Sequence, residues 1–375
     1  MGLSFDWREW RNRLIARPGF QRWAADFPLT RPIARRRARA LFDITAGFVY
    51  SQILYACVEL ELVDQLAEGP LALSTLAPRL RMTEPQADRF LRAAVALDLL
   101  ERRGVDGEGS PRFGLGNHGA AMLANPGIAA MVKHHQMLYR DLEDPLALLR
   151  GEKAQTELGR YWAYASSLDP AQEADASVRE YSELMSVSNA FVAGDVLDAY
   201  SLQSHRCLMD VGGGQGNFLL AVAERWPHLK LRLFDLPAVA ERAQQRFDAL
   251  GLGERAEAIG GDLLRTPLPQ GADICSLVRV VHDHDDDQAL QILQAVRASL
   301  ERGATLLLAE PMAETPGAEP IGDAYFGLYL LAMGSGRPRP PHELEAMLRE
   351  AGFGGIQLRP TRRPMQTRLL VATAV

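Results

Sequence analysis

The C-terminal half of the chain alternates between two hydrophobic patterns. Short apolar runs occupy residues 208–211, 230–235, 256–262, 273–281 and 305–309, and a last one covers 368–374. Longer stretches compatible with helices lie between most of them. Strand-length runs alternating with helices predict a doubly wound, mostly parallel α/β sheet. Polar residues gather where the runs end, at Asp235, Asp262, His282-Asp283 and Glu310. Open sheets of this kind bind ligands beyond the carboxyl ends of their strands. The run holding Asp210 leads into glycines at 212, 213, 214 and 216, followed by an apolar, helix-compatible segment. Strand, tight glycine turn and helix N-terminus together suit a charged cofactor. The glycines at 212, 214 and 216 read G-x-G-x-G. The dinucleotide pattern would place its third glycine at 217, where this chain has Asn217.

The N-terminal half is patterned for helices. Residues 43–68 predict two of them, with Phe48, Val49, Ile53 and Leu54 among the apolar positions. Leu73 starts a third. Thr83-Glu84-Pro85-Gln86 opens a fourth with a capping box and an early proline. Apolar segments flank the Gly/Asp stretch 104–110 and predict a β-hairpin. Helix, helix, hairpin is a winged-helix pattern, which raises DNA binding. A recognition helix should be basic, yet residues 84–98 set Glu84, Asp88 and Asp98 against Arg89 and Arg92. No nucleic-acid partner is expected. Residues 120–200 read as mostly helical with a polar break at 169–177, and Tyr161, Trp162, Tyr164 and Phe191 read first as core packing. Residues 321–333 are apolar nearly all round, which predicts a buried helix. The resulting division is an arm (1–42), a winged-helix-like domain (43–118), a helical linker (119–200) and a catalytic domain (201–375).

Composition narrows the classes. With 375 residues, 47% of them hydrophobic, the chain can bury a full core and predicts two domains. Three cysteines without metal-ligand spacing point to a reduced, cytoplasmic setting. No unbroken apolar run reaches transmembrane length, and no signal peptide is evident. The net charge of −6 predicts no general affinity for nucleic acid. The first forty residues stand apart: ten arginines and no lysine face Asp6, Glu9 and Asp26, a balance of 10 − 3 = +7. Trp7, Trp10, Phe20, Trp23 and Phe27 are interleaved with those charges. Such a segment suits peripheral contact with a membrane headgroup layer, or packing against a partner subunit.

The ordered motifs Asp-Val-Gly-Gly-Gly-x-Gly (210–216), Phe-Asp-Leu-Pro (234–237), Gly-Asp-Leu (261–263) and His-Asp (282–283) resemble those of class I S-adenosylmethionine-dependent O-methyltransferases of the caffeate and hydroxyindole type. The resemblance covers residues 40 to 375. It implies a seven-stranded methyltransferase sheet, an N-terminal dimerisation module and a homodimer. It also implies S-adenosylmethionine as cofactor and S-adenosylhomocysteine as product, with Asp210, Gly212, Gly214 and Gly216 against the methionine part. Asp235 and Leu236 would then serve the ribose, Asp262 and Leu263 the adenine, and His282 would be the general base with Glu310 orienting it. Asp283, Tyr325, Phe326, Tyr329 and Met333 are the candidate substrate-pocket residues. The stretch 27–43, continuing to Gly47-Phe48-Val49-Tyr50-Ser51-Gln52, is similar to the carotenoid O-methyltransferases of purple photosynthetic bacteria. Those methylate the tertiary 1-hydroxyl of an acyclic carotenoid of the hydroxyneurosporene or demethylspheroidene type. A small phenolic substrate is the alternative. A cofactor-sensing DNA-binding regulator is a more remote one.

Two positions depart from the family. Its second supporting glutamate falls in a segment that in this chain reads Gly336-Arg337-Pro338-Arg339-Pro340, with proline replacing the acid. The tryptophan that often follows His-Asp is His284. The acidic run 283–287 cannot converge on one ion, so no metal is expected. It reads instead as a solvated helix start.

Overall fold

The computed structural model describes residues 6–165 and 192–375. The predicted break at 169–177, Phe191 and the side chain of Tyr164 lie outside the described residues. The chain forms two compact units, one ending at Lys133 and the other beginning at His134.

In the first unit, helices Trp7–Ile15 and Pro18–Asp26 precede a 29-residue helix, Arg31–Glu59. The two helices predicted over 43–68 are the second half of this long helix and a single turn, Leu62–Gln65. The break between them is at Glu61, in the left-handed region at φ +49°. The long helix also corrects the reading of membrane-length segments. Thr45, Gly47, Ser51 and Gln52 interrupt any apolar run, yet the mean hydropathy of an 18-residue window reaches 1.4. By length and composition alone the helix could cross a membrane, a test that a soluble helix can also pass.

Helix Glu84–Ala96 starts as predicted, with the Thr83 amide donating to Gln86 Oε1 at 2.9 Å. It buries Ala87, Leu91 and Ala94, spaced four and three residues apart on one face. Strands β1 (Leu71–Ala72), β2 (Leu100–Val105) and β3 (Pro111–Leu115) form an antiparallel sheet in the order β1-β3-β2. Leu62, Leu76, Leu91 and Phe113 are fully buried in the core of this winged-helix unit. Each such side chain contributes roughly 1.5–3 kcal/mol by leaving water.

The second unit holds the predicted sheet. Its strands are β4 (Cys207–Val211), β5 (Lys230–Asp235), β6 (Ala256–Gly260), β7 (Ile274–Val278), β8 (Thr305–Glu310), β9 (Phe353–Arg359) and β10 (Arg368–Ala374). Their order is β6-β5-β4-β7-β8-β10-β9, with β10 antiparallel to both neighbours. Alternation sends Met209, Leu306 and Leu308 to one face, and Leu208, Leu307 and Ala309 to the other. The chain winds outward from β4 to β6 and returns on the other side at β7. The switch point, where such sheets take ligands, is therefore between β4 and β7.

One helical prediction is corrected. Residues 321–333 form a wide π turn, Pro320–Phe326, followed by helix Gly327–Met333. Gly322, Tyr329, Leu330 and Ala332 are buried, but Asp323, Ala324 and Leu331 are exposed. The segment covers one side of a core and is not enclosed by it.

Candidate active site

The glycine loop closes the β4–β7 switch point. Gly212, Gly214 and Gly216 have φ +70°, +58° and +80°, a region that L side chains rarely adopt. A Cβ on Gly212 would lie 2.8 Å from Val280 Cγ2, and one on Gly216 would lie 2.6 Å from the Phe247 ring. At Gly214 the same position is open. The loop is thus packed at two of these glycines and leaves a cradle at the third. Asp235, at the end of β5, accepts hydrogen bonds from the Gly214 amide at 2.8 Å and the Leu236 amide at 2.7 Å. Burial raises its pKa, and those two bonds hold it down. Leu236 caps the following helix, Pro237–Ala249. Asp262 takes the Leu264 amide at 2.9 Å, while Leu263 packs on the sheet core. Backbone donors, an open glycine and two carboxylates at adjacent strand ends fit a cofactor with a charged amino-acid part and a ribose.

Asp210 sits deeper than its assignment to the cofactor implied. It is 1% exposed, and its Oδ1 accepts from Ser276 Oγ at 2.6 Å. Its Oδ2 has no hydrogen-bond partner among the described residues. Burial pushes its pKa up to about 7, against the Ser276 bond.

His282 lies in a short turn after β7 and is 6% exposed. Glu310, at the end of neighbouring β8, is also buried. Its Oε1 accepts from the Val280 and Val281 amides at 3.1 and 2.8 Å, which fixes the carboxylate, and its Oε2 takes His282 Nδ1. The predicted base–acid pair is brought together. A neutral ring that donates from Nδ1 leaves Nε2 as its acceptor. Asp283 Oδ1 stands 3.1 Å from that Nε2. Burial alone would lower the pKa of the ring, but the charges of Asp283 and Glu310 and the Glu310 hydrogen bond raise it overall. The Arg279 guanidinium opposes them. Arg279 occupies the left-handed region at φ +58°, its amide bonded to Ala309 O at 2.8 Å.

Phe326 meets His282 edge-on at 6.3 Å between ring centroids, and Tyr325 packs on Phe326 at 5.0 Å. Tyr325 OH pairs with His135 Nε2 at 2.8 Å, and Tyr329 OH pairs with His134 Nε2 at 2.8 Å. Trp162 Nε1 donates to Tyr329 OH at 3.0 Å. An indole N–H can only donate, so Tyr329 OH accepts from Trp162. Burial pushes His134 down to about 4 and keeps that ring neutral. Met333 and Trp162 both pack against the buried cluster of Leu138, Leu148, Leu158, Tyr329, Leu330 and Ala332. Phe326 thus stands against His282 with Tyr325 packed on it, and Tyr329 lies next to Tyr325 at 5.8 Å between centroids. Sequence reasoning missed His134, His135 and Arg279. The acidic run, read mainly as a solvated helix start, is exposed in the first turn of helix Asp286–Ser299, where Asp286 also pairs with Arg337 and Arg339.

Comparison with known proteins agrees with this geometry. A model of an O-methyltransferase domain matches residues 139–354, and one of an O-methyltransferase dimerisation domain matches residues 42–125. The dimerisation match supports a homodimer. The chain is 44% identical over 354 residues to demethylspheroidene O-methyltransferase of Cereibacter sphaeroides, covering 94% of this chain and 91% of that protein. To the enzyme of the same name from Rhodobacter capsulatus it is 40% identical, covering 92% and 84%. The crystal structure of human N-acetylserotonin methyltransferase in complex with S-adenosylmethionine superposes with a TM-score of 0.72 at 24% identity, covering 90% of this chain and 97% of that one. That last likeness concerns the fold.

Proposed function

We infer the reaction from one premise: the chain belongs to the S-adenosylmethionine-dependent O-methyltransferases. The substrate proposed is the tertiary 1-hydroxyl of an acyclic carotenoid of the hydroxyneurosporene or demethylspheroidene type. The observation that carries this choice is the 44% identity to a demethylspheroidene O-methyltransferase over 94% of the chain. The aromatic wall of Tyr325 and Phe326 beside the base suits a long apolar substrate.

In this reading the loop glycines, Asp235 and Leu236, and Asp262 and Leu263 hold the cofactor, while buried Asp210 ties β4 to Ser276 of β7 beneath the loop. Bound S-adenosylmethionine supplies an electrophilic methyl carbon. The protein's own task is to align the hydroxyl and to receive its proton. Bulk water has a pKa of ~15.7, an unactivated tertiary alcohol is no stronger an acid, and free imidazole lies at ~6.5. Full prior deprotonation would cost about nine pKa units, or on the order of 12 kcal/mol. His282 Nε2 therefore accepts the proton while the new C–O bond forms, an effect worth ~10² to 10⁴ in rate. Asp283 must turn from Nε2 to admit the hydroxyl. The imidazolium that results is held by Glu310 Oε2.

The arm supplies access to a lipid-dissolved substrate. Trp7, Trp10, Trp23, Phe27, Leu29 and Ile33 are exposed, as are Arg35, Arg36 and Arg37. All lie before residue 42, where the dimerisation match begins. In this proposal they rest on the cytoplasmic face of the membrane that dissolves the carotenoid. The enzyme is then cytoplasmic and peripheral.

The test of the substrate is turnover of 1-hydroxyneurosporene dispersed in lipid vesicles, against a panel of small phenols. Methylation of the carotenoid is expected. Turnover of phenols alone would reject it.

A further inference from the structure

The segment that lacks the second acid is wrapped around the turn carrying the base. Among the described residues Arg339 is the largest fully buried side chain, at 1% exposure. Burying a guanidinium is costly unless its donors are matched, and three of its nitrogens are. Nη1 donates to Val281 O at 2.9 Å, Nη2 to His284 O at 2.7 Å, and Nε to Asp286 Oδ1 at 2.9 Å. The two carbonyls bracket His282, one residue before it and two after. A planar guanidinium presents its donors in a rigid fork, so it sets the spacing of both carbonyls at once.

Neighbouring residues complete the clasp. Ser335 Oγ donates to Asp283 O at 2.8 Å, and the Gly336 amide donates to Asp285 Oδ1 at 2.9 Å. Gly336 has φ +81°, and a Cβ there would lie 2.6 Å from the carbonyl carbon of Asp283. Arg337 makes two bonds of 3.1 Å to the carboxylate of Asp286. At its other end, Arg339 O accepts the Ala313 amide at 3.2 Å, three residues beyond Glu310. Pro338 and Pro340 restrict the backbone on either side of the arginine. The proline that removes an acid therefore helps to fix the approach of a cation.

We propose that Arg339 is a positioning residue for His282, acting through the main chain of the turn and keeping the ring in register with Glu310. Where a second acid would support the ring itself, this arginine supports the backbone beneath it. The proposal rests on His282 being the base. The charged groups facing that ring are Glu310 from β8, Asp283 from its own turn and Arg279 from the end of β7, with His284 beside Asp283.

The experiment is a titration of the histidine rings by NMR in the full-length protein, with the His282 signal assigned by its loss in His282→Ala. Arg339→Lys keeps a charge but loses the fork. Its His282 inflection should fall toward the ordinary imidazole value by roughly half a pH unit or more as the ring slips from the carboxylates. Its kcat should fall about ten- to a hundredfold, with KM for the hydroxyl substrate within about threefold. Asp286→Asn leaves the buried arginine in place and should move both readings the same way by less, which covers the case in which Arg339→Lys does not fold. An unmoved titration and kcat in a folded variant, with only the melting temperature lowered, would overturn the proposal. Full turnover by His282→Ala would instead sink the base assignment, a result separate from the titration.

Discussion

Two buried acids at strand ends behave differently because of what each touches. Glu310 has backbone donors and an imidazole, so its charge is used; Asp210 has Ser276 on one oxygen and no partner among the described residues on the other. For His282 the raised pKa sets the sign of the pH dependence. As the proposed base His282 works when neutral, so the chemical rate should climb with pH and level off only above the ordinary imidazole value of ~6.5. Glu310→Gln should lower that inflection and cut kcat by about 10²-fold, which a pH–rate profile reads directly. For Asp210 the folded pKa of about 7 lies above the ordinary value of 3.8. The folded state then binds the proton more tightly, and its stability drains as pH rises from about 4 to about 7. That window corresponds to about 4 kcal/mol as an order of magnitude. Thermal melts should show Asp210→Asn gaining on the wild type across it. A difference independent of pH would reject a neutral buried acid. At this scale His282, Glu310 and the loop glycines were legible because strand ends and glycine spacing mark them. Arg339 was not, since a charged residue between prolines reads as exposed loop, and only the fold shows which carbonyls it reaches.

Among elements, the glycine loop makes the sharpest division. Gly216→Ala must push aside the Phe247 ring at a positive φ, so it should lower stability by roughly 1–3 kcal/mol. Gly214→Ala meets open space and should fold with a smaller loss, about 1–2 kcal/mol of backbone strain. It should instead weaken S-adenosylmethionine binding, because its side chain enters the cradle. Calorimetry of cofactor binding beside a thermal melt separates the two, and equal effects on both readings would contradict this division of roles. The parallel strands were readable as apolar runs because both of their faces are covered. Edge strand β9 was not: Gly354 and Gly355 interrupt it, and most of its side chains are partly or fully exposed. The long helix Arg31–Glu59 escapes the pattern for a related reason. Its apolar positions are spread around it and not confined to a stripe, so neither its start nor its length is marked.

At the scale of the molecule, two kinds of exposed apolar surface lie in sequence along one unit. Leu41, Phe42, Ile44, Phe48 and Val49 are exposed at or within the matched dimerisation domain. The arginine-rich arm before them is the surface proposed to rest on lipid. The full chain should sediment with vesicles rich in anionic lipid, and less so as salt shortens the Debye length from about 10 Å at 0.1 M. Reversing Arg35, Arg36 and Arg37 to glutamate should release it without changing turnover of a detergent-dispersed substrate. Binding to neutral and anionic vesicles alike would contradict an electrostatic anchor. The two-unit architecture and the sheet were legible from pattern and motif together, whereas the occupants of these surfaces are set by charge and exposure.

Methyl transfer to a hydroxyl, with His282 as the proton acceptor, is the claim on which the other predictions depend. The most direct measurement is transfer of labelled methyl from S-adenosylmethionine to vesicle-dispersed 1-hydroxyneurosporene, by the wild type and His282→Ala, across pH. The expected result is a methylated carotenoid, a rate that rises with pH through an inflection above that of free imidazole, and a loss of about 10² to 10⁴ in the variant. A variant as fast as the wild type, with the same pH profile, would contradict it.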